Sequence, residues 1–278
     1  MLLGHPVAHS LSPTFQNAAL DAARLRVRYE PLDVAPGDLA RTLDELRAAR
    51  AAGNVTVPHK QAVAVHCDAL TSVAREVGAV NTFWHAADGA LVGENTDVAG
   101  VTAALRAVAD GAGGLRPARV ALLGAGGAAA AVVAAVAQRW PTAHVAIWSR
   151  RPSAAAALAA RSGERTAAAT SVAAALGGAS LVVNATPLGL RADDPLPCDV
   201  GALSPRAAVL DLVYGPRETA WVRAARAAGH DAHDGLLMLV EQGAAAFERW
   251  FGVPADRTRM WDAVCERTGR LAPRGSYP

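Results

Sequence analysis

Short apolar runs alternate with longer stretches of helical periodicity, a pattern that predicts an α/β fold. The clearest unit lies mid-chain. Residues 120–123 are long enough for one buried parallel strand, 128–138 are Ala- and Val-rich without Pro or interior Gly and read as a helix, and 144–148 read as the next strand. Beyond it, 153–161 and 173–176 read as helices, 180–184 and 207–212 as strands, and 218–228, 235–250 and 256–267 as helices. Before it, 26–32 alternates and predicts a strand, and 37–52 carries Leu39, Leu43 and Leu46 at helical spacing. Val55 and Val57 mark a strand that Pro58 ends. Residues 69–77 predict a short helix, 78–84 a strand, Asp88-Gly89 a hairpin turn and 98–109 a helix. Only three residues precede Gly4, so either the natural start lies upstream or the first strand is frayed. Ser12 is expected to cap a helix opening at Pro13.

Composition narrows the class. The 278 residues are 52% hydrophobic and 19% charged, enough apolar material for one large or two ordinary domains. A formal net charge of +2, with no block of like charge, argues against nucleic acid or an anionic membrane as partner. No signal peptide and no membrane span are expected. Cys67, Cys198 and Cys265 lack C-x-x-C spacing and read as reduced thiols of a cytoplasmic protein. The histidines show no metal-ligand spacing, and no metal is assigned.

The candidate chemistry starts at the loop after residue 123. Gly124, Gly126 and Ala129 fit G-x-G-x-x-G/A, which gives a tight turn, close approach of a pyrophosphate, and close helix packing. A plain Ala/Gly-rich helix start is the competing reading. The ordered run of strand, glycines, helix and second strand favours a dinucleotide. After that second strand stand Ser149, Arg150 and Arg151 instead of an acid, and two guanidinium groups suit a 2′-phosphate, so the cofactor is read as NADP.

Three other segments invite chemistry. Ser10 and Ser12 place hydroxyls and backbone N–H groups near a helix start, suited to a small carboxylate, although a capped loop explains them equally. Lys60 opens a helix, where the dipole disfavours its charge, and lysine is scarce in this arginine-rich chain. Asp97 sits where a strand hands over to a helix, a place an acid often takes only as an N-cap.

Together these segments resemble shikimate dehydrogenase across almost the whole chain. The resemblance rests on H-S-L-S-P (9–13), N-V-T-V-P-H-K (54–60), G-A-V-N-T (78–82) and G-x-N-T-D-x-x-G (93–100). It continues through G-A-G-G-A-A (124–129), N-A-T-P-L-G (184–189), D-L-V-Y-G-P (211–216) and G-L-x-M-L-V-x-Q (235–242). It implies a Rossmann-type NADP-binding domain over 102–234 and a discontinuous α/β substrate-binding domain from 1–101 and 235–278, with the active site in the cleft between them. The implied reaction is reversible reduction of 3-dehydroshikimate to shikimate in aromatic amino-acid biosynthesis. Lys60 and Asp97 would form the catalytic pair. Ser10, Ser12 and Tyr214 would hold the carboxylate, and Thr56, Asn81, Asp97 and Gln242 the ring hydroxyls. Gly124, Ala125, Gly126, Gly127, Ala128, Ser149, Arg150, Arg151, Leu212 and Gly235 would line the cofactor. A small-molecule substrate is the implied partner, and a homodimer is left open.

The chain departs from the family pattern at Gln16, where His is common, and at Ala154, where a further arginine is common. A quinate/shikimate or aminoshikimate dehydrogenase is the near rival. A non-catalytic NADP-binding regulator is the rival of another class, and it would lack Lys60 or Asp97.

Overall fold

A computed structural model describes residues 1–270 and Tyr277. The chain divides into two compact units, one formed by 1–100 with 239–277 and the other by 101–238.

The first unit begins with β1 (Leu2–Gly4), α1 (Ser12–Ala22), β2 (Pro31–Asp33), α2 (Leu39–Ala48), β3 (Gly53–Val55) and α3 (Lys60–His66). It continues with β4 (Ala69–Leu70), α4 (Ser72–Val77), β5 (Thr82–His85), β6 (Leu91–Glu94) and the start of α5 (Asp97–Gly111). Its sheet runs β2-β1-β3-β5-β6-β4, with β3/β5 and β5/β6 antiparallel and the remaining pairs parallel. Leu3, Val55, Val80, Phe83 and Leu91 pack with Leu39, Leu43 and Leu46 of α2 into one core. The Leu spacing of the sequence thus supplies the buried stripe of that helix.

Five expectations need correction here. The first strand is neither absent nor frayed: β1 is short but buried and paired on both sides, to β2 and β3. The strand expected over 26–32 starts only at Pro31. Before it, Tyr29 donates its N–H to Asn17 Oδ1 and accepts at its C=O from Asn17 Nδ2, so a side chain replaces the neighbouring strand. Val57 lies outside β3 and is 69% exposed, after Val55 has ended the ladder. Residues 69–77 split: β4 pairs with Val92 and Gly93, and Thr71 then caps α4 by accepting from the Ala74 N–H. Ser12 is not a cap but the first residue of α1, with Leu11 at the cap position and Pro13 just inside the helix.

The second unit holds the rest of α5, then β7 (Arg119–Leu123), α6 (Gly127–Arg139), β8 (His144–Trp148), α7 (Pro152–Arg161), β9 (Thr166–Ala168) and α8 (Val172–Leu176). β10 (Leu181–Asn184), β11 (Ala208–Asp211), α9 (Ala220–Ala227), β12 (Ala232–His233) and the start of α10 (Leu236–Phe251) complete it. All its strand pairs are parallel, and read from the β9 edge the order is β9-β8-β7-β10-β11-β12. That is the doubly wound dinucleotide-binding order, in which the direction of winding reverses between the first and fourth strands, here β7 and β10. The edge strands β9 and β12 were not legible in sequence, because Thr-Ala-Ala and Ala-His carry no strand signal of their own. The rest of α10, then α11 (Arg257–Thr268), return to the first unit, where α11 packs on α1.

Candidate functional site

In the first unit, the end of β6 and the start of α5 bring Asp97 against Lys60 at the start of α3. Lys60 Nζ donates to Asp97 Oδ2 at 2.6 Å. The Lys60 side chain is 22% exposed and that of Asp97 only 5%, so the lysine is the more open partner of the pair. Lys60 is the single lysine of the sequence. Asp97 is no ordinary helix cap, since its second oxygen, Oδ1, accepts from Asn81 Nδ2 at 2.8 Å. A carboxylate held by both oxygens fixes the direction in which the ammonium is presented.

Asn81 is oriented in turn. Its Oδ1 accepts the Thr96 N–H at 2.7 Å, and its Nδ2 reaches Thr96 Oγ1 at 3.0 Å and Gln242 Oε1 at 3.3 Å. Thr82 Oγ1 lies 3.1 Å from Asn81 Oδ1 and 3.0 Å from Thr96 Oγ1, and it accepts from Asn54 Nδ2 at 2.9 Å. Asn54 Oδ1 takes the hydroxyl of buried Tyr29 at 2.7 Å. A polar chain therefore runs from Tyr29 to Lys60 with every member bonded. Thr82, Thr96 and Asn54 were not among the predicted site residues. The only signal for them was their place inside the quoted motifs.

Of the remaining predicted residues of this unit, Ser12 is buried, while Ser10 and Thr56 are half-buried. Ser10 Oγ accepts the Ser12 N–H at 3.2 Å, and the Ser10 N–H bonds Val7 O. Thr56 follows β3, with its N–H on Leu3 O. His59, next to Lys60, is buried with Nε2 2.6 Å from Val34 O, the contact of a structural histidine.

The second unit holds Tyr214, half-buried in the loop after β11, and all the predicted cofactor residues. Gly124 has φ +117°, and a Cβ there would lie 2.6 Å from Ala185 O, so this turn requires glycine. Gly126 and Gly127 face open space, where a Cβ would meet nothing within 4 Å. Gly126 stands at the cap position of α6 with no side-chain cap, which leaves the first N–H groups of that helix for an anion. Ser149 Oγ accepts the Arg151 N–H at 3.2 Å and so shapes the turn after β8. Arg150 and Arg151 are exposed, and their guanidinium groups make no hydrogen bond or ion pair with the described residues. Gly235 approaches so near that a Cβ would lie 2.2 Å from Leu212 O. Glycine turn, uncapped helix start and two uncommitted guanidiniums fit a dinucleotide with an extra phosphate.

Among the described residues no group of three or more His, Cys, Asp or Glu could hold a metal ion, and no helix is long and apolar enough to cross a membrane.

Residues 2–83 match the family model of the shikimate dehydrogenase substrate binding domain, and 235–265 that of the shikimate 5′-dehydrogenase C-terminal domain. The chain is 45% identical to a shikimate dehydrogenase (NADP(+)) of Rubrobacter xylanophilus, over 95% of this chain and 94% of that one. The structure superposes with a TM-score of 0.83 on shikimate 5-dehydrogenase of Thermus thermophilus, solved in complex with NADP(H) and shikimate, at 37% identity over 96% of this chain and 98% of that one. It superposes with a TM-score of 0.85 on quinate dehydrogenase of Corynebacterium glutamicum, solved in complex with NAD, at 30% identity over 95% and 97%. With a lysine–aspartate couple in one unit, a dinucleotide scaffold in the other and identity of this extent, the chain belongs to the shikimate dehydrogenase family.

Proposed function

We propose that this chain catalyses the NADP-dependent, reversible reduction of 3-dehydroshikimate to shikimate. The observation that carries the reading is the 2.6 Å contact between the Lys60 ammonium and the Asp97 carboxylate, anchored from behind by Asn81.

Bound NADPH supplies the hydride. Reduction of a ketone builds negative charge on its oxygen, and a proton must follow. Lys60 stabilises that charge and delivers a proton from Nζ. In the reverse direction its neutral amine takes the proton of the alcohol. Asp97 keeps the ammonium aimed and accepts from a ring hydroxyl. Gln242 and Thr56 hold further hydroxyls. Ser10, Ser12 and Tyr214 hold the carboxylate through hydroxyl donors and backbone N–H groups. The loop of Gly124, Ala125, Gly126, Gly127 and Ala128 would cradle the pyrophosphate, Ser149, Arg150 and Arg151 would bind the 2′-phosphate, and Leu212 and Gly235 would line the cofactor.

The test is nicotinamide absorbance with shikimate or quinate, each with NADP+ or NAD+. Shikimate with NADP+ should give the highest kcat/KM of the four. Turnover of quinate with NAD+ above all other pairs would assign the rival activity, and no turnover of either acid would refute the reading.

A further inference from the structure

Asp211 ends β11 fully buried, and it has no role in the reaction described above. Both of its oxygens are committed. Oδ1 accepts from Asn184 Nδ2 at 2.8 Å and from the Val213 N–H at 3.1 Å, and Oδ2 accepts from Thr219 Oγ1 at 2.7 Å. Thr219 is the cap of α9, so one carboxylate joins the two ends of the loop 212–219. Asn184 is the register partner of Asp211 on β10. Its own Oδ1 takes the N–H and hydroxyl of Thr186 at 3.0 and 2.6 Å, which sets the turn after β10. The carboxylate therefore pins the loop after β11 to the turn after β10, and both follow the carboxyl ends of strands, where open α/β sheets place their ligands. The first three residues of the pinned loop are Leu212, Val213 and Tyr214. Val213 O in turn accepts the Gly235 N–H at 3.1 Å.

A buried carboxylate is a costly way to fasten a loop. Burial pushes the Asp211 carboxyl up to about 6, against the pull of Thr219, Val213 and Asn184, and the nearby Asp234 charge adds to the rise. Simple packing would be met as well by an apolar side chain, whereas three converging donors fix the loop at chosen atoms.

We propose that Asp211 is a positioning residue that sets the loop carrying Leu212 and Tyr214, and through it the affinity for cofactor and for the substrate carboxylate. This rests on the roles given above to those two residues. Losing the charge loosens all three donors, so affinity falls as the carboxyl takes up a proton.

The test uses the full chain as wild type, Asp211→Ala and Asp211→Asn, the last keeping an oxygen for Asn184 and Val213. Asp211→Ala should raise the KM for shikimate and the calorimetric Kd for NADP+ at least about tenfold, with kcat within about threefold. Asp211→Asn should change both by only about two- to fivefold. The wild-type KM for shikimate should climb below about pH 6, and that climb should vanish in Asp211→Asn. Both constants within about twofold of wild type in Asp211→Asn, with the same pH dependence, would overturn the proposal even if Asp211→Ala does not fold. Absence of turnover by the wild type would refute the functional reading instead, and the NADP+ affinities of the variants would still decide the role of Asp211.

Discussion

Asn81 has more acceptors around its amide than it has protons. Asp97 Oδ1, Thr96 Oγ1 and Gln242 Oε1 all lie within 3.3 Å of Nδ2, while Oδ1 takes the Thr96 N–H. The orientation of the amide is thus fixed, and the contact to Gln242 is the longest of the three. The Thr82 hydroxyl supports this arrangement from below. Thr82→Val leaves one N–H of the buried Asn54 amide without an acceptor and takes a donor from Asn81 Oδ1, which keeps the Thr96 N–H; it should cost about 1–3 kcal/mol in urea unfolding, while Thr82→Ser should be near neutral. At the proposed cofactor end, the guanidinium groups of Arg150 and Arg151 are the ones assigned to the 2′-phosphate. Arg150→Ala with Arg151→Ala should lower kcat/KM for NADP+ at least about tenfold and leave that for NAD+ within about threefold. Lys60, Asp97 and the arginines were legible in the sequence because charge at a helix start or after a strand is conspicuous. Thr82 and Thr96 were not, because a threonine in or beside a strand reads as ordinary β-propensity. Nor was the ion pair of Arg249 Nε with buried Glu94 at 2.8 Å, which joins α10 to β6.

At the scale of elements, the glycines after β7 separate a folding requirement from a binding one. Gly124 combines φ +117° with a Cβ position 2.6 Å from Ala185 O, whereas Gly126 opens onto free space. Gly124→Ala should therefore lower Tm by several degrees, a cost of about 1–3 kcal/mol. Gly126→Ala should leave Tm nearly unchanged and weaken NADP+ in a calorimetric titration, because its methyl would stand where the proposed reading puts the pyrophosphate. Elements with their own periodicity were readable: β7, α6, β8, α2 and α10 fall within a few residues of their expected places. Elements that depend on a distant partner were not. β4 exists because Val92 and Gly93 lie beside it, and β2 begins late because Asn17 occupies the backbone of Tyr29.

At the scale of the whole molecule, each unit has its own sheet, and ionisable groups buried in either one link stability to pH. Asp211 is protonated in the fold up to about pH 6 but in the unfolded chain only up to its ordinary 3.8. A raised acid contributes stability that is complete below the unfolded value and is lost as pH rises through the folded one. At about 1.4 kcal/mol per pH unit, the interval from 3.8 to about 6 amounts to about 3 kcal/mol. Asp211→Asn lacks this loss, so its stability relative to wild type should rise by about that amount between about pH 3.5 and 7 in urea unfolding. The three cysteines are free, and burial raises each thiol, Cys67 and Cys198 to about 11. Alkylation of the native protein near neutral pH should accordingly be much slower than in urea, as mass spectrometry would read it. The central claim remains that the molecule's single lysine supplies the proton of the reaction. The most direct measurement is kcat for shikimate oxidation by Lys60→Ala at saturating NADP+. A fall of at least about a hundredfold, with the KM for shikimate changed only a few-fold, is the predicted result, and a kcat near that of the wild type would contradict it.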